Sequence, residues 1–226
     1  LSFHGRRWLT LFRAVSGVWR RQSKAVAGLP PGPLILLGTE FPDALPLRQF
    51  VHSPDGWHER HVAHAVFHLA PCPAPVLPDA RALEDGAVVE LCEPALEIAR
   101  LLGHRFAQTP GAALFLDYGH ASTLTGDSLQ ALRHARQAPP LEAAGEADLT
   151  AHVDFTAFGA AARQAGAAVY GAQTQGAFLL ALGLMERTEQ LARATTPETA
   201  AAPPRGAPRL AAPEKIGHRF TVMALP

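Results

Sequence analysis

Three sequence signatures are missing from this chain: its 226 residues contain no G-x-S-x-G elbow, no Walker loop and no G-x-G pair. Elbow hydrolases and P-loop nucleotide enzymes therefore have no support here. Cysteine is nearly absent as well. Cys72 and Cys92 have no His or Cys partner at metal-ligand spacing, which fits two ordinary thiols in a reducing compartment and gives no zinc motif. An excess of either charge is lacking too, since 20 Lys and Arg face 20 Asp and Glu. No global attraction to nucleic acid or to a membrane surface follows from that balance, and any charge-based function has to be local. Trp8, Trp19 and Trp57 form no ladder for stacking bases. No apolar run approaches the roughly 20 residues of a membrane span.

One absence is confined to the start of the chain. Residues 1–39 carry Arg6, Arg7, Arg13, Arg20, Arg21 and Lys24 but no Asp or Glu. Such a composition resembles a mitochondrial transit peptide. The preferred expectation is a basic helix over 7–27, weakened by Ser16 and Gly17, with further chain upstream of Leu1.

What is present is a core-forming composition, 48% hydrophobic, enough for one sizeable domain. Leu34–Leu37 is a short continuous apolar run, the pattern of a strand buried on both faces. Residues 48–62 predict a hairpin around Ser53-Pro54-Asp55-Gly56, and a Pro-rich loop follows over 70–86. Strands are expected at 87–92, 112–119, 148–155, 167–174 and 219–225. Helices are expected at 94–108, 127–135, to Ala165 and over 176–194, with a flexible Ala- and Pro-rich excursion at 195–213. Strands alternating with helices predict an α/β domain with a largely parallel sheet, whose ligands sit beyond the carboxyl ends of the strands.

Two apolar runs end in acids and would meet in that crevice. The first run ends in Glu40, Phe41 and Asp43. Crowding pushes the pKa values of two such carboxylates apart, and together they suit a cation, a guanidinium above all. The competing account has Asp43 capping the turn and Glu40 solvated. The second run ends in Asp117-Tyr118-Gly119-His120, which offers a proton acceptor, a hydrogen-bonding group and close backbone approach, or simply a strand end. "TGDS" at 125–128 reads as a helix cap. His152 and Asp154 would share one strand face, but a metal there lacks a third ligand.

Taken in order, "EFPDALPLRQF" (40–50), "DGWHER" (55–60), "LDYGH" (116–120), "GDSLQA" (126–131), "GEADLTAHVDF" (145–155), "TQGAFLLALG" (174–183) and "RLAAPEKIGHRFTVMAL" (209–225) resemble the MidA / NDUFAF7-like class I methyltransferase family. The resemblance covers residues 34–226 and leaves 1–33 as a poorly matching basic segment. It implies an α/β, Rossmann-like class I methyltransferase sheet, N-terminally truncated, with added helices and a hairpin. Leu34–Leu37 would be its fourth strand and Ala112–Asp117 its fifth, with an antiparallel pair at the end.

The resemblance also implies S-adenosyl-L-methionine as cofactor and arginine N-methylation of a complex I subunit as function. Glu40 and Asp43 would be catalytic. Asp117, Tyr118, Gly119, His120, His152 and Asp154 would line the substrate side, and Glu40 and Phe41 would touch the cofactor. The family's glycine-rich loop and ribose-binding acid have no counterpart here, so a non-catalytic binding or assembly module is the alternative. A hydrolase using Asp117 and His120 is weaker, for want of a nucleophile. Expected surroundings are a bacterial cytoplasm, with the mitochondrial matrix as alternative, a homodimer through an exposed sheet edge, no nucleic acid and no membrane insertion.

Overall fold

A computed structural model describes residues 12–13, 19–20, 28–29, 31–77, 83–122, 126–142, 145–193 and 206–226. Phe12–Arg13 (β1) and Trp19–Arg20 (β2) pair antiparallel. These four residues correct the expected helix over 7–27, and the rest of that stretch lies outside the described residues.

Leu34–Thr39 (β3) leads through a 3-10 turn at Pro42–Ala44 into a sheet of Arg48–Ser53 (β4), Gly56–Ala63 (β5), Val66–Cys72 (β6) and Val88–Leu91 (β7). The helix Glu93–Gln108 (α1) returns the chain to Gly111–His120 (β8). Next come Gln130–Arg133 (β9), Arg136–Ala138 (β10), Asp148–Thr150 (β11) and Val153–Asp154 (β12). The helix Phe155–Gln164 (α2), the strand Tyr170–Thr174 (β13) and the helices Gln175–Ala181 (α3), Leu184–Arg193 (α4) and Gly206–Ala211 (α5) precede the last strand, Phe220–Leu225 (β14).

The central sheet is mixed. β3 runs parallel to β8, in register from Leu34 opposite Gly111 to Thr39 opposite Leu116. β14 pairs antiparallel with β8, and β13 antiparallel with β14. The short β12 adds in parallel at the carboxyl end of β8. Phe115, Phe155 and Phe158 are fully buried where α1 and α2 cover the sheet, with Phe115 and Phe158 edge to face at 4.9 Å. Each such ring contributes about 2–3 kcal/mol of transfer free energy, so this cluster anchors the sheet that carries the acids.

Four expectations need correction. β3 is buried on one face only: Leu34 and Leu36 join the core, whereas Ile35 and Leu37 are 63% and 50% exposed. Residues 127–135 do not form a helix. They enter a β9–β10 hairpin whose turn residues His134 and Ala135 take left-handed φ of 49° and 59°, as a two-residue turn matched to strand twist requires. The expected helix over 176–194 is broken between α3 and α4, where Gly183 takes φ +83°. Within the expected excursion at 195–213, residues 206–211 are helical, while 194–205 lie outside the described residues. No described helix is long and apolar enough to cross a membrane.

Candidate functional site

Parallel pairing places the carboxyl ends of β3 and β8 side by side, so the two acid-bearing segments meet. Glu40 continues the ladder by donating its N–H to the Leu116 carbonyl at 3.1 Å, then takes φ +47°. A left-handed non-glycine residue costs about 1–2 kcal/mol, and here it turns the chain back over β8. Two backbone N–H groups of the turn then point at one side chain. Asp117 Oδ2 accepts from Phe41 at 3.0 Å and from Asp43 at 3.2 Å, while its Oδ1 accepts from Tyr118 at 2.8 Å. Asp117 has no exposed surface. Through Oδ2 it holds the turn at Phe41 and Asp43 against the end of β8.

Asp43 is also buried, and its Oδ1 has no hydrogen-bond partner among the described residues. It does not cap the 3-10 turn, which has no side-chain cap. Its carbonyl accepts the Ala151 N–H at 3.0 Å, tying the turn to the segment before β12. Burial pushes the Asp43 carboxyl well above the usual carboxylate range, and the charge of Glu40 adds to that. Burial likewise raises Asp117, with the charge of Asp43 adding and the backbone donors opposing. Each of the two carboxyls is raised by its own burial, so they titrate as a coupled pair and not as two independent groups.

The remaining expected residues divide. Tyr118 packs on Phe220 with ring centroids 4.1 Å apart, and burial, then the charges of Glu40 and Asp43, raise its phenol. The Phe41 ring is in the core rather than at the crevice. Gly119 is required by packing, because a Cβ there would meet the Val153 carbonyl oxygen at 2.3 Å. His120 and His152 face each other at 6.4 Å, with His120 Nδ1 buried and unpartnered. Burial lowers the pKa of His152, and His120 adds to the effect. The strand expected over 148–155 is interrupted at Ala151 and His152, so His152 and Asp154 do not share a strand face. Asp154 caps α2 through Oδ1 to the Ala157 N–H at 2.9 Å. Among the described residues no three of His, Cys, Asp and Glu gather to hold a metal.

A polar network beside the turn was not anticipated. Gln49 donates to Glu90 Oε1 at 2.7 Å and to Asp127 Oδ1 at 2.8 Å, and accepts from Arg60 at 2.9 Å. Arg60 also pairs with Asp127 Oδ2 at 2.6 Å. The Ser128 N–H and hydroxyl both bond Glu90, and Ser128 Oγ accepts the His152 N–H at 2.8 Å. Asp127 and Ser128 thus brace the crevice instead of capping a helix. The available signal was that Gln49, Arg60, Asp127 and Ser128 all fall inside the strings that carry the family resemblance.

Strand order β3-β8-β14-β13, parallel then antiparallel, with an acidic turn at the carboxyl ends, defines a Rossmann-like class I methyltransferase fold. A family described as "Putative S-adenosyl-L-methionine-dependent methyltransferase" matches residues 11–173, and the chain belongs to that family. The rat mitochondrial protein arginine methyltransferase NDUFAF7 is 36% identical over 215 residues, covering 92% of this chain and 48% of that protein. The human protein of the same name is 35% identical over 205 residues, covering 87% and 46%. The chain therefore spans about half the length of the curated relatives it matches. A COG1565-superfamily crystal structure from Burkholderia thailandensis superposes with TM-score 0.72 at 26% identity, covering 87% of this chain and 56% of that one. A structure of a superfamily member from the same organism, bound to S-adenosyl-homocysteine, gives TM-score 0.70 at 26% identity, covering 87% and 54%.

Proposed function

We propose that the chain provides the acceptor side of an S-adenosyl-L-methionine-dependent protein arginine N-methyltransferase, with a respiratory complex I subunit as substrate and complex I assembly as the process served. The observation that carries this reading is the turn at 40–43. It sets one exposed carboxylate, Glu40, and one buried carboxylate with an unpartnered oxygen, Asp43, at the carboxyl ends of two parallel strands. Arginine as acceptor is supported by the names of the curated relatives, and the cofactor by the neighbour that holds S-adenosyl-homocysteine.

The residues present fit the cofactor in part. Glu40 is exposed at the crevice, whereas Phe41 could offer only its backbone, since its ring is buried. When bound, the cofactor supplies a methyl group carried on a sulfonium sulfur. Glu40 and Asp43 orient the guanidinium and bias its charge, and the carboxylate side receives the proton that the nitrogen gives up. Tyr118, His120 and His152 form the acceptor wall, with Gly119 and Asp154 fixing its backbone. A bacterial cytoplasm is the proposed location, with the mitochondrial matrix as the alternative. The exposed Ile35 and Leu37 support association of two copies, which sedimentation would read.

The deciding assay is transfer of labelled methyl from S-adenosyl-L-methionine to an arginine-containing protein, alongside calorimetric titration with S-adenosylhomocysteine. Transfer to arginine that falls at least about 100-fold in Glu40→Gln with Asp43→Asn supports the reading. Unchanged transfer in that double variant, or none from the folded wild-type protein, sinks it.

A further inference from the structure

A cleft lies beside the 40–43 turn, between β7, the first turn of α1 and the first turn of α2. Its free volume is about 50 Å³, room for the end of one side chain but not for a nucleoside. The walls are largely aliphatic, with Leu45, Leu47, Leu91 and Leu96 among them. Asp43, Glu90 and Asp154 also line it, and no arginine or lysine among the described residues does. A cleft with three acidic residues and no lining cation is complementary to a positive charge.

The two acids nearest the turn are prepared differently. Asp43 is 4% exposed and its Oδ1 has no donor, which is an unmet hydrogen-bonding demand beside an open cleft. Among the described residues Glu90 is held by neutral donors: the Gln49 amide and the Ser128 N–H on Oε1, and the Ser128 hydroxyl on Oε2. Gln49 is itself fixed by Asp127 and Arg60, so the Glu90 carboxylate is oriented before any ligand arrives.

We propose that this cleft is the entry port for the substrate arginine, its aliphatic stem lying along the leucine walls and its guanidinium donating to Asp43 and Glu90. The proposal rests on the arginine reading above. A planar guanidinium fork can donate to two carboxylates carried on different elements at once, whereas an ammonium is a single point of charge. Glu90 is thereby a specificity-determining residue for arginine over lysine.

The test is calorimetric titration of the protein with N-acetyl-arginine methylamide and with its neutral citrulline isostere. The arginine derivative is expected to bind saturably and the citrulline derivative at least about tenfold more weakly. Glu90→Gln is expected to lower arginine affinity about five- to tenfold. Because that change disturbs the bonds to Ser128, Ala157→Leu serves as the second variant, narrowing the cleft wall while leaving every carboxylate in place. It should weaken binding by a similar factor with an unshifted melting temperature. Equal binding of the citrulline derivative, or unchanged affinity in folded Ala157→Leu, overturns the port. Arginine binding without methyl transfer to any protein would instead remove the functional reading and leave the port standing. Methyl transfer with an unaltered KM in Ala157→Leu would do the reverse.

Discussion

Asp117 and Phe41 are separated by 76 residues in the chain, and the carboxylate of one accepts the backbone N–H of the other at 3.0 Å. The same oxygen takes the N–H of Asp43 at 3.2 Å. The turn that carries the proposed acids is therefore held by a third acid that has no exposed surface and whose hydrogen-bond partners among the described residues are backbone N–H groups. Asp117→Asn keeps the shape but replaces one of the two accepting oxygens with an NH2 donor. Unfolding free energy should fall by about 1–3 kcal/mol in a urea titration. Amide exchange at Phe41 and Asp43 should accelerate more than exchange in β14.

Stability should depend on pH through the acid pair. Both carboxyls are raised in the folded protein above their ordinary values, so between about pH 4 and neutrality the native state binds more protons than the unfolded chain. That contribution is fully present below the unfolded pKa and is lost as pH rises through the folded one. Wild-type protein should therefore lose stability from this source as pH rises, by up to about 1.4 kcal/mol per pH unit for each proton involved. Asp43→Asn, which cannot ionise, should flatten the curve. A wild-type profile that climbs steadily across the same range, with Asp43→Asn parallel to it, would count against the proton being there.

Gly119→Ala tests the close approach of β8 to β12. The added Cβ would lie 2.3 Å from the Val153 carbonyl oxygen and 3.0 Å from the Phe155 ring. Neither backbone nor a fully buried ring yields cheaply, so a loss of about 2–4 kcal/mol is expected by denaturation. The His120 and His152 resonances should shift together.

Glu40 can be separated from its backbone. At φ +47° glycine relieves the steric cost, whereas a β-branched residue increases it. Glu40→Gly should be no less stable than wild type and Glu40→Val less stable by about 1–2 kcal/mol in a urea titration, while both lose methyl transfer. A Glu40→Gly protein with full activity would show that the carboxylate is dispensable.

Much of the sheet could be seen in the sequence because buried strands announce themselves as apolar runs. β3, β8 and β14 fall where Leu34–Leu37, Ala112–Asp117 and residues 219–225 suggested, and α1 follows its helical spacing. Residues 127–135 misled because Leu129, Leu132 and their polar neighbours also satisfy helical spacing. The pairing of β9 with β10 and β11 decides otherwise, and sequence spacing does not encode partners. The acids at the strand ends were legible as residues. Their division of labour was not, since burial and hydrogen bonding of Asp117 depend on a turn in a distant part of the chain. For the same reason Glu90 went unmarked: its donors come from β4 and from the segment before β9.

The link from Asp117 to the 40–43 turn also sets a rule for transplanting this chemistry. A designer who cut out residues 40–43 and grafted them onto another scaffold would carry both proposed acids and lose the anchor that gives them their spacing. The smallest portable unit is discontinuous, comprising the end of β3, its turn and the last residues of β8. Copying errors in either piece would move Asp43 as surely as a change at position 43 itself.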